Sequence, residues 1–256
     1  MSEWTFDPDD FAALWYNNAN DRFPSPLHYS SRFLLRDEFE AHRVAVSRRY
    51  PADELERIQL ATHTLTTSDI RIEVLGGTTR HKARDGSFKM YRIVGARNQF
   101  QAVTLYQTTT DDQDGPIKMR LCRPESLVSY LVKSIPPCRP GSQPPETFHP
   151  DDLRARHGEY FEDVARNTPR ERFHRLLQRP ADGGGSAGLF AGAINTMPAA
   201  WNVVQWHDIT RDGRYTELRG SHISVQPTRS EDLVTRLTGW VGDALHRLAE
   251  DDADSW

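Results

Sequence analysis

Cysteine is scarce in this chain, and its scarcity limits the redox and metal chemistry that we expect. The 256 residues include only two cysteines, Cys122 and Cys138, which are sixteen positions apart. They lack the paired spacing of a zinc site, and we expect two reduced thiols rather than a disulfide. Ten histidines are present, but no two of them are three or four residues apart. The sequence therefore predicts no metal site.

A large excess of charge and a long apolar run are also lacking. The 32 basic and 36 acidic residues give a net charge of −4, which offers no electrostatic reason to expect nucleic acid or an anionic membrane as a partner. The first ten residues have neither a basic start nor an apolar core, so we expect no signal peptide. The longest small-apolar run, near residues 186–197, is well short of the ~20 residues of a membrane helix. We expect a cytoplasmic protein without membrane insertion.

A glycine-rich string is the motif that most resembles part of an enzyme. GGGSAG, from Gly183 to Gly188, fits the pattern GxGxxG, and Asp208 follows twenty residues after the last glycine. A dinucleotide-binding fingerprint needs a strand before the first glycine and a helix after the last one. Here helical spacing precedes the string and strand-like spacing follows it. We interpret the string as a flexible link, predict no catalytic residue and no cofactor, and keep a nucleotide-binding enzyme as an alternative.

Two segments that are 106 residues apart have nearly the same sequence. Residues 117–135 and 223–241 share six identical positions when they are aligned at that shift. Each segment begins with the alternation of a half-buried strand, continues with an acidic helix start, and ends with apolar residues at helical spacing. A weaker copy occupies residues 4–15. The chain thus repeats a strand–helix unit.

The residues between these units follow the same predicted order in both halves. Two helices that are separated by a proline precede three short strands in each half. The predicted elements are residues 37–49, 51–66, 70–75, 88–94 and 100–106 in the first half, and about 150–166, 169–178, 187–191, 202–209 and 215–218 in the second. Turn signals at Arg97-Asn98 and Asp212-Gly213 predict hairpins, and hairpins imply antiparallel pairing.

This order predicts an α+β protein with one antiparallel β-sheet and helices packed against it. We expect a single domain over residues 1–256, built from half-repeats at about residues 1–116 and 117–221 and a closing strand–helix unit at residues 222–250. An approximate twofold would relate the halves. The proline-rich stretch at residues 136–150 joins them, and we expect it to be an extended surface connector without regular structure.

Several segments, taken in order along nearly the whole chain, resemble the EspG family. They are WTFDPDDFAAL (residues 4–14), FPSPLH (23–28), IRIEVLGG (70–77), VGARNQ (94–99), RP with DGGGSAG (179–188), WHDITRDGRY (206–215) and VQPTRSEDLVTRL (225–237). Each motif is degenerate, and the likeness lies in their order and spacing. EspG proteins are cytosolic chaperones associated with the ESX, or type VII, secretion systems of actinobacteria.

The resemblance implies a fold, a partner and the absence of catalysis. The implied fold is α+β, with a central antiparallel β-sheet that has a quasi-twofold internal repeat and is flanked by helical bundles. The implied partner is the exposed hydrophobic tip of the PPE protein in a PE–PPE heterodimer, which the chaperone keeps soluble and directs to its secretion system. No metal and no catalysis are implied. The polar loop at residues 78–87 corresponds to one near the partner, and its basic residues either complement acidic groups or are only solvated.

The resemblance and the repeat together lead to a hypothesis about the binding surface. We expect a concave sheet face, closed by the C-terminal helices, to bind the apolar helical tip. The candidate partner contacts are Phe88, Tyr91, Ile93, Trp206, Trp240 and Leu245. The competing interpretation of these aromatic residues is a buried core. A self-associating scaffold without a secreted client is a further alternative, and we expect a monomer or a weak dimer.

Overall fold

The computed structural model describes residues 2–18, 20–79, 89–110, 113–154 and 168–253. The strands are β1 (Ser2–Phe6), β2 (Ile70–Thr78), β3 (Lys89–Arg97), β4 (Ala102–Thr109), β5 (Asp114–Cys122), β6 (Glu146–Phe148), β7 (Ala181–Ala191), β8 (Asn202–Ile209), β9 (Arg214–Arg219) and β10 (Ile223–Pro227). The helices are α1 (Pro8–Trp15), α2 (Arg36–Ser47), α3 (Ala52–Thr66), α4 (Leu127–Lys133), α5 (Pro169–Leu177) and α6 (Ser230–Ala253), with short 3₁₀ helices at Pro124–Ser126 and Pro150–Leu153.

These strands form one antiparallel sheet in the order β1-β5-β4-β3-β2-β7-β8-β9-β10-β6. The first five strands of the chain occupy one side of the sheet, the later five occupy the other, and β2 pairs with β7 in the centre. The α+β class and the central antiparallel sheet are therefore as predicted. The expected boundary between residues 116 and 117 falls within β5, which pairs with β1 and β4 of the first five strands.

Proline and small polar residues begin several helices. Asp7 caps α1, where its carboxylate accepts a 3.1 Å hydrogen bond from the N–H of Asp9, and Pro8 follows it. Thr168 and Glu171 form a capping box at the start of α5. The missing N–H of proline and its fixed φ suit a first helical turn, and the capping side chains satisfy free backbone N–H groups.

Helices α4 and α6 cover the middle of one sheet face, which we call the covered face. The two similar sequence segments supply these two helices, and α4 and α6 contact each other. Alternate residues of the central strands point toward them because successive side chains of a strand point to opposite faces. The buried strand residues of this cluster are Ile70, Ile72, Val74, Tyr91, Ile93, Ala187, Leu189, Val204 and Trp206.

Two separate groups of helices pack on the opposite face. Helices α1 and α3 pack over the first five strands, in a cluster that includes Phe6, Phe11, Trp15, Ile58, Leu65, Val94 and Leu105. Helix α5 packs over the outer strands of the second five, in a cluster of Phe148, Leu176, Ile209, Tyr215 and Val225. The centre of this face, over β2, β7 and β8, lies between the two clusters.

Two expectations about irregular structure are wrong. The glycine-rich string is not a flexible link but lies within β7, where it pairs with β2 on one side and β8 on the other. The connector at residues 136–150 contains β6, which extends the sheet by pairing with β10, and Phe148 of β6 is buried. Both segments gain regular structure because neighbouring strands satisfy their backbone groups, which local composition does not reveal.

Candidate functional site

The predicted contact residues lie mostly inside the protein. Tyr91, Ile93 and Trp206 are at most 2% exposed and form part of the cluster beneath α4 and α6. Trp240 and Leu245 are partly buried on α6 and pack against the same cluster. Phe88 lies outside the described residues. The covered face is thus filled by the protein's own helices, and the three buried side chains have no surface to offer a partner in this conformation.

Glycines make this close packing possible. Gly76 of β2 pairs with Gly185 of β7, and a Cβ atom at position 76 would collide with the Tyr91 hydroxyl. At position 185 a Cβ atom would lie 2.6 Å from Cζ2 of Trp206. Tyr91 and Trp206 therefore lie directly over backbone that has no side chain of its own. Burial raises the pKa of Tyr91 above its ordinary value, so that this phenol stays protonated.

The opposite side of the same strands is open and forms a shallow trough. Leu75 of β2 is 40% exposed and Val203 of β8 is 49% exposed, and β7 runs between them. At this face β7 contributes Ser186 and Gly188, the cross-strand neighbours of Leu75 and Val203, respectively, and Phe190, whose ring lies beside Gly188. Ser186 and Gly188 are small, so the floor is low between Leu75 and Val203, and the Phe190 ring closes it at the end where Arg71 lies. We call this surface the open trough, defined by Glu73, Leu75, Ser186, Gly188, Val203 and Gln205.

A buried arginine fixes one end of the open trough. Arg71 is 3% exposed, and its guanidinium donates to Glu73 at 2.7 Å and to the carbonyl oxygens of Gly192, Ala193 and Thr196 at 3.1, 2.9 and 3.0 Å. These bonds hold the loop at residues 192–201 against β2. The loop carries Met197, which is 87% exposed beside the trough.

The far side of the open trough is polar. His207 of β8 contacts Glu217 of β9, with 3.2 Å between Nε2 and Oε2, and Arg219 pairs with the same carboxylate. The hydrogen bond from His207 lowers the pKa of Glu217 from its ordinary value and outweighs the opposing effect of burial. Two apolar sides with a paired, polar border resemble the composition of protein–protein interfaces, whose cores are apolar and whose rims are polar.

A more polar pocket lies near the start of α1. It has a volume of about 550 Å³ and brings together Asp9, His28, Arg32, Arg92 and Asp114. These groups already have partners: His28 contacts Asp114 at 2.7 Å, Arg32 contacts Asp9 at 3.3 Å, and Arg92 donates to a backbone carbonyl. The pocket therefore supplies internal ion pairs rather than an unpaired reactive group.

The geometry of β7 argues against the nucleotide-binding alternative. The amides of Gly183 to Gly188 lie in a paired strand, and the chain continues into a loop and β8 rather than into a helix. A phosphate site of the dinucleotide type requires a helix N-terminus directly after the glycines. Across the described residues, no group of three or more His, Cys, Asp or Glu side chains is arranged to hold a metal ion. No described helix combines the length and apolarity needed to cross a bilayer.

These features define an α+β scaffold with a covered face and an open, partly apolar face at its centre. A model of the EspG family matches residues 7–239, and the chain belongs to the EspG family. Membership of this family is consistent with a chaperone associated with ESX secretion, and it suggests a substrate of that secretion system as the partner. No curated protein matches the chain.

Sequence reasoning missed the open trough because it followed the aromatic residues. The aromatic side chains of β3 and β8 indicate the covered face, where large rings fill the core. Leu75 and Val203 are aliphatic and lie at the alternate strand positions. The sequence did contain a signal for this surface: IRIEVL and NVVQWHDI carry apolar residues at both alternating sets of strand positions. A strand with one solvated face needs apolar residues in only one of these sets.

Proposed function

We propose that this protein is a cytosolic chaperone and adaptor for a type VII secretion substrate. It binds the hydrophobic helical tip of a PPE-like protein in a PE–PPE pair, keeps that pair soluble and directs it to its secretion system. The observation that carries the proposal is the match to the EspG family over residues 7–239. The protein acts by binding and catalyses no reaction.

The open trough is the surface that we assign to the helical tip. An exposed apolar tip aggregates unless another surface covers it. Leu75 and Val203 offer apolar contacts on either side of β7, and between them lie the small side chain of Ser186 and the Phe190 ring beside Gly188. Met197 supports this assignment because a methionine adapts its shape to different apolar partners. In this proposal the open trough is the binding surface, in place of the covered face that the sequence suggested.

The proposed internal repeat explains where the trough lies. From the centre outward, β2-β3-β4-β5-β1 and β7-β8-β9-β10-β6 have the same relative chain order, and α4 or α6 follows the fourth strand of each set. We propose that duplication produced these two sets, with α1–α3 flanking one and α5 flanking the other. The trough crosses the junction of the sets, so both would contribute to binding.

Capture of the substrate by trough variants tests the proposal. The tagged protein, purified from its native cytoplasm, should bring a PE–PPE pair with it. We expect Val203→Lys to reduce that capture at least about tenfold, because it inserts a charge into an apolar contact. Val44→Lys is the matched control, since Val44 on α2 is also 49% exposed but lies outside the trough.

A second matched pair distinguishes the two candidate faces. Leu75→Lys should weaken capture, and Leu60→Lys on α3 should not, although both leucines are 40% exposed. Trp240→Ala tests the surface on α6. If Trp240→Ala abolishes capture while both trough variants bind normally, the partner lies on α6. If no PE–PPE pair copurifies with the wild-type protein, the proposed function is wrong.

The nucleotide-binding alternative has its own test. Titration with NAD(P) or ATP should leave the melting temperature unchanged, because the glycine amides of β7 are engaged in the sheet. A dose-dependent rise would favour the enzyme, since a ligand that binds only the native state stabilises it.

A further inference from the structure

A basic pocket lies beside α4 at the margin of the covered face. Its volume is about 480 Å³, and its walls are strands β1, β4 and β5 and the C-terminal end of α4. We call it the α4 pocket, defined by Lys118, Arg120, Tyr130 and Lys133. Neither the proposed substrate contacts nor the packing of the core accounts for its charge.

The register of the strands places the α4 pocket on the covered face. Lys118 of β5 is the cross-strand neighbour of Tyr106 on β4, and Tyr106 packs against the cluster beneath α4 and α6. Arg120 is two residues further along β5, so its side chain points to the same face. Glu3 of β1 is in turn the cross-strand neighbour of Arg120. The α4 pocket and the open trough therefore lie on opposite faces of the sheet.

Positive charge exceeds negative charge in the α4 pocket. Its described lining has three cations, Lys118, Arg120 and Lys133, and one carboxylate, Glu3. That carboxylate accepts a 2.7 Å hydrogen bond from Nε of Arg120. Lys118 and Lys133 are exposed and form no ion pair with any other described residue. A chain with a net charge of −4 thus has a local cluster of cations that it does not neutralise itself.

An aromatic ring holds two of these cations at the α4 pocket. The guanidinium carbon of Arg120 lies 4.3 Å from the centroid of the Tyr130 ring, and Nζ of Lys133 lies 5.8 Å from the same centroid. Such cation–π contacts orient a cation without neutralising its charge. Arg120 and Lys133 are therefore arranged for an anion before it arrives, which lowers the entropy cost of binding it.

The pairing of Arg120 with Glu3 indicates which kind of anion the α4 pocket accommodates. A carboxylate already lies against this guanidinium. Lys118 and Lys133 add two separate point charges from a strand and a helix. Separate ammonium groups on flexible stems suit carboxylates that are spaced along a peptide better than they suit one compact phosphate. The pocket therefore complements an acidic peptide segment.

We propose that the α4 pocket binds an acidic segment of a second protein partner, distinct from the PE–PPE pair. Carboxylates of this segment pair with Lys118 and Lys133 and compete with Glu3 for Arg120. The inference rests on the proposed function, because an adaptor that directs a substrate must contact another protein while it holds that substrate. The opposite positions of the pocket and the open trough allow both contacts at once.

Fluorescence anisotropy with a labelled oligoglutamate peptide tests the α4 pocket in the absence of any PE–PPE pair. We expect a dissociation constant below ~500 µM at low ionic strength, and at least about tenfold weaker binding at ~0.5 M salt, where ion pairs are screened. Lys118→Glu with Lys133→Glu should raise the dissociation constant at least about tenfold. Arg170→Glu with Arg229→Glu is the matched control: both arginines are exposed and lie outside the pocket, and the net charge changes equally.

A second variant tests the competition with Glu3. Glu3→Gln removes the carboxylate that occupies Arg120 and should tighten peptide binding about threefold. Asp53→Asn is its control, since it also releases an arginine, Arg57, but on α3 and outside the pocket. It should leave the dissociation constant unchanged. Equal tightening by the two substitutions would show that only the net charge of the protein matters and would overturn the proposal.

The remaining outcomes also decide the proposal. Equal losses of affinity in the two charge-reversed proteins would overturn it, and so would an absence of binding at ~500 µM. A single-stranded RNA of equal charge should bind more weakly than the peptide, and tighter binding through Lys118 and Lys133 would assign the pocket to nucleic acid instead.

Copurification of the PE–PPE pair separates this proposal from the proposed function. Lys118→Glu with Lys133→Glu should retain that capture, because the open trough is unchanged. Loss of capture would place the α4 pocket in the substrate site and overturn the second partner. Failure of the peptide to bind, with capture of the PE–PPE pair intact, would overturn the pocket proposal alone.

Discussion

The hydroxyl of Tyr91 donates a hydrogen bond to the carbonyl oxygen of Gly184 at 3.0 Å, although β2 lies between their strands. The ring can cross β2 because the residue beneath it is Gly76. The glycine-rich stretch of β7 thus has a packing role: it lets large side chains lie flat on the centre of the sheet. Glycine is used here for close approach rather than for a turn.

Gly76→Ala should destabilise the protein by ~2–4 kcal/mol. Its Cβ atom would occupy the space of the Tyr91 hydroxyl and displace a ring that is 2% exposed. Urea unfolding measures the free energy. Gly239→Ala is the control: it lies in α6 with open space around it and should stabilise by ~0.5–1 kcal/mol. Equal effects of the two substitutions would contradict this packing role.

Arg71→Met should cost about 3 kcal/mol and loosen the loop after β7. The substitution removes the cationic donor of Glu73 and of three loop carbonyls. The loss is costly because the Arg71 side chain is almost fully buried in the wild-type protein. The free energy of unfolding and the rate of proteolysis within residues 192–201 are the measurements. Arg57→Met removes an exposed pair with Asp53 on α3 and should change stability by at most ~0.5 kcal/mol. An intact loop in Arg71→Met would refute the anchoring role.

Protonation of the Asp212 carboxylate should destabilise the protein in acid. Burial by itself would raise its pKa, but hydrogen bonds from Tyr215, the Ser142 N–H and Arg179 outweigh burial and lower the pKa from 3.8 to about 2. A folded-state pKa below the unfolded value contributes stability that is complete above about pH 4 and is lost as the pH falls toward 2. The shift corresponds to about 2 kcal/mol.

Asp212→Asn provides the measurement for this pH dependence. Its difference from wild type in unfolding free energy should be about 2 kcal/mol at pH 7 and should shrink between pH 4 and pH 2. Asp53→Asn, at a side chain that is 76% exposed, should show no comparable change. A constant difference across this pH range would show that the Asp212 carboxylate contributes nothing through its charge.

The two cysteines should differ in reactivity. Cys122 is 5% exposed, and burial raises the pKa of its thiol from 9.0 to about 11, whereas Cys138 is only partly buried. The thiolate fraction of Cys122 at pH 8 is then about a hundredfold below the ordinary one. Iodoacetamide labelling followed by peptide mass spectrometry should modify Cys138 first in the native protein. Labelling of both at similar rates is expected only in denaturant.

Local patterns in the sequence predicted many elements well. Strand β8 has the predicted bounds of residues 202–209, and α2 and α3 begin and end within two residues of the prediction. Alternation and helical spacing are local properties, and prolines mark helix starts by their fixed φ, so both can be read without knowing the fold.

The turn between β8 and β9 lies where the sequence predicted it, and its left-handed residue is one that the sequence did not single out. Asp212-Gly213 predicted a tight hairpin, and such hairpins commonly place glycine in the left-handed region. The left-handed residue is Arg211, with φ of 62°. Gly213 is required because a Cβ atom there would collide with the carbonyl of Pro140, which belongs to the distant connector. Contacts between segments that are remote in sequence decided this position.

The sequence by itself determined the antiparallel α+β class, most of the helices and strands, and the likeness to the EspG family. These depend on periodicity, turn residues and the order of motifs along the chain. Only the tertiary structure decided which side of the central strands is open, because α4 and α6 cover one face while Leu75 and Val203 remain exposed on the other. Burial depends on what packs across a strand, and the alternation of a strand marks two faces without saying which one a helix will cover.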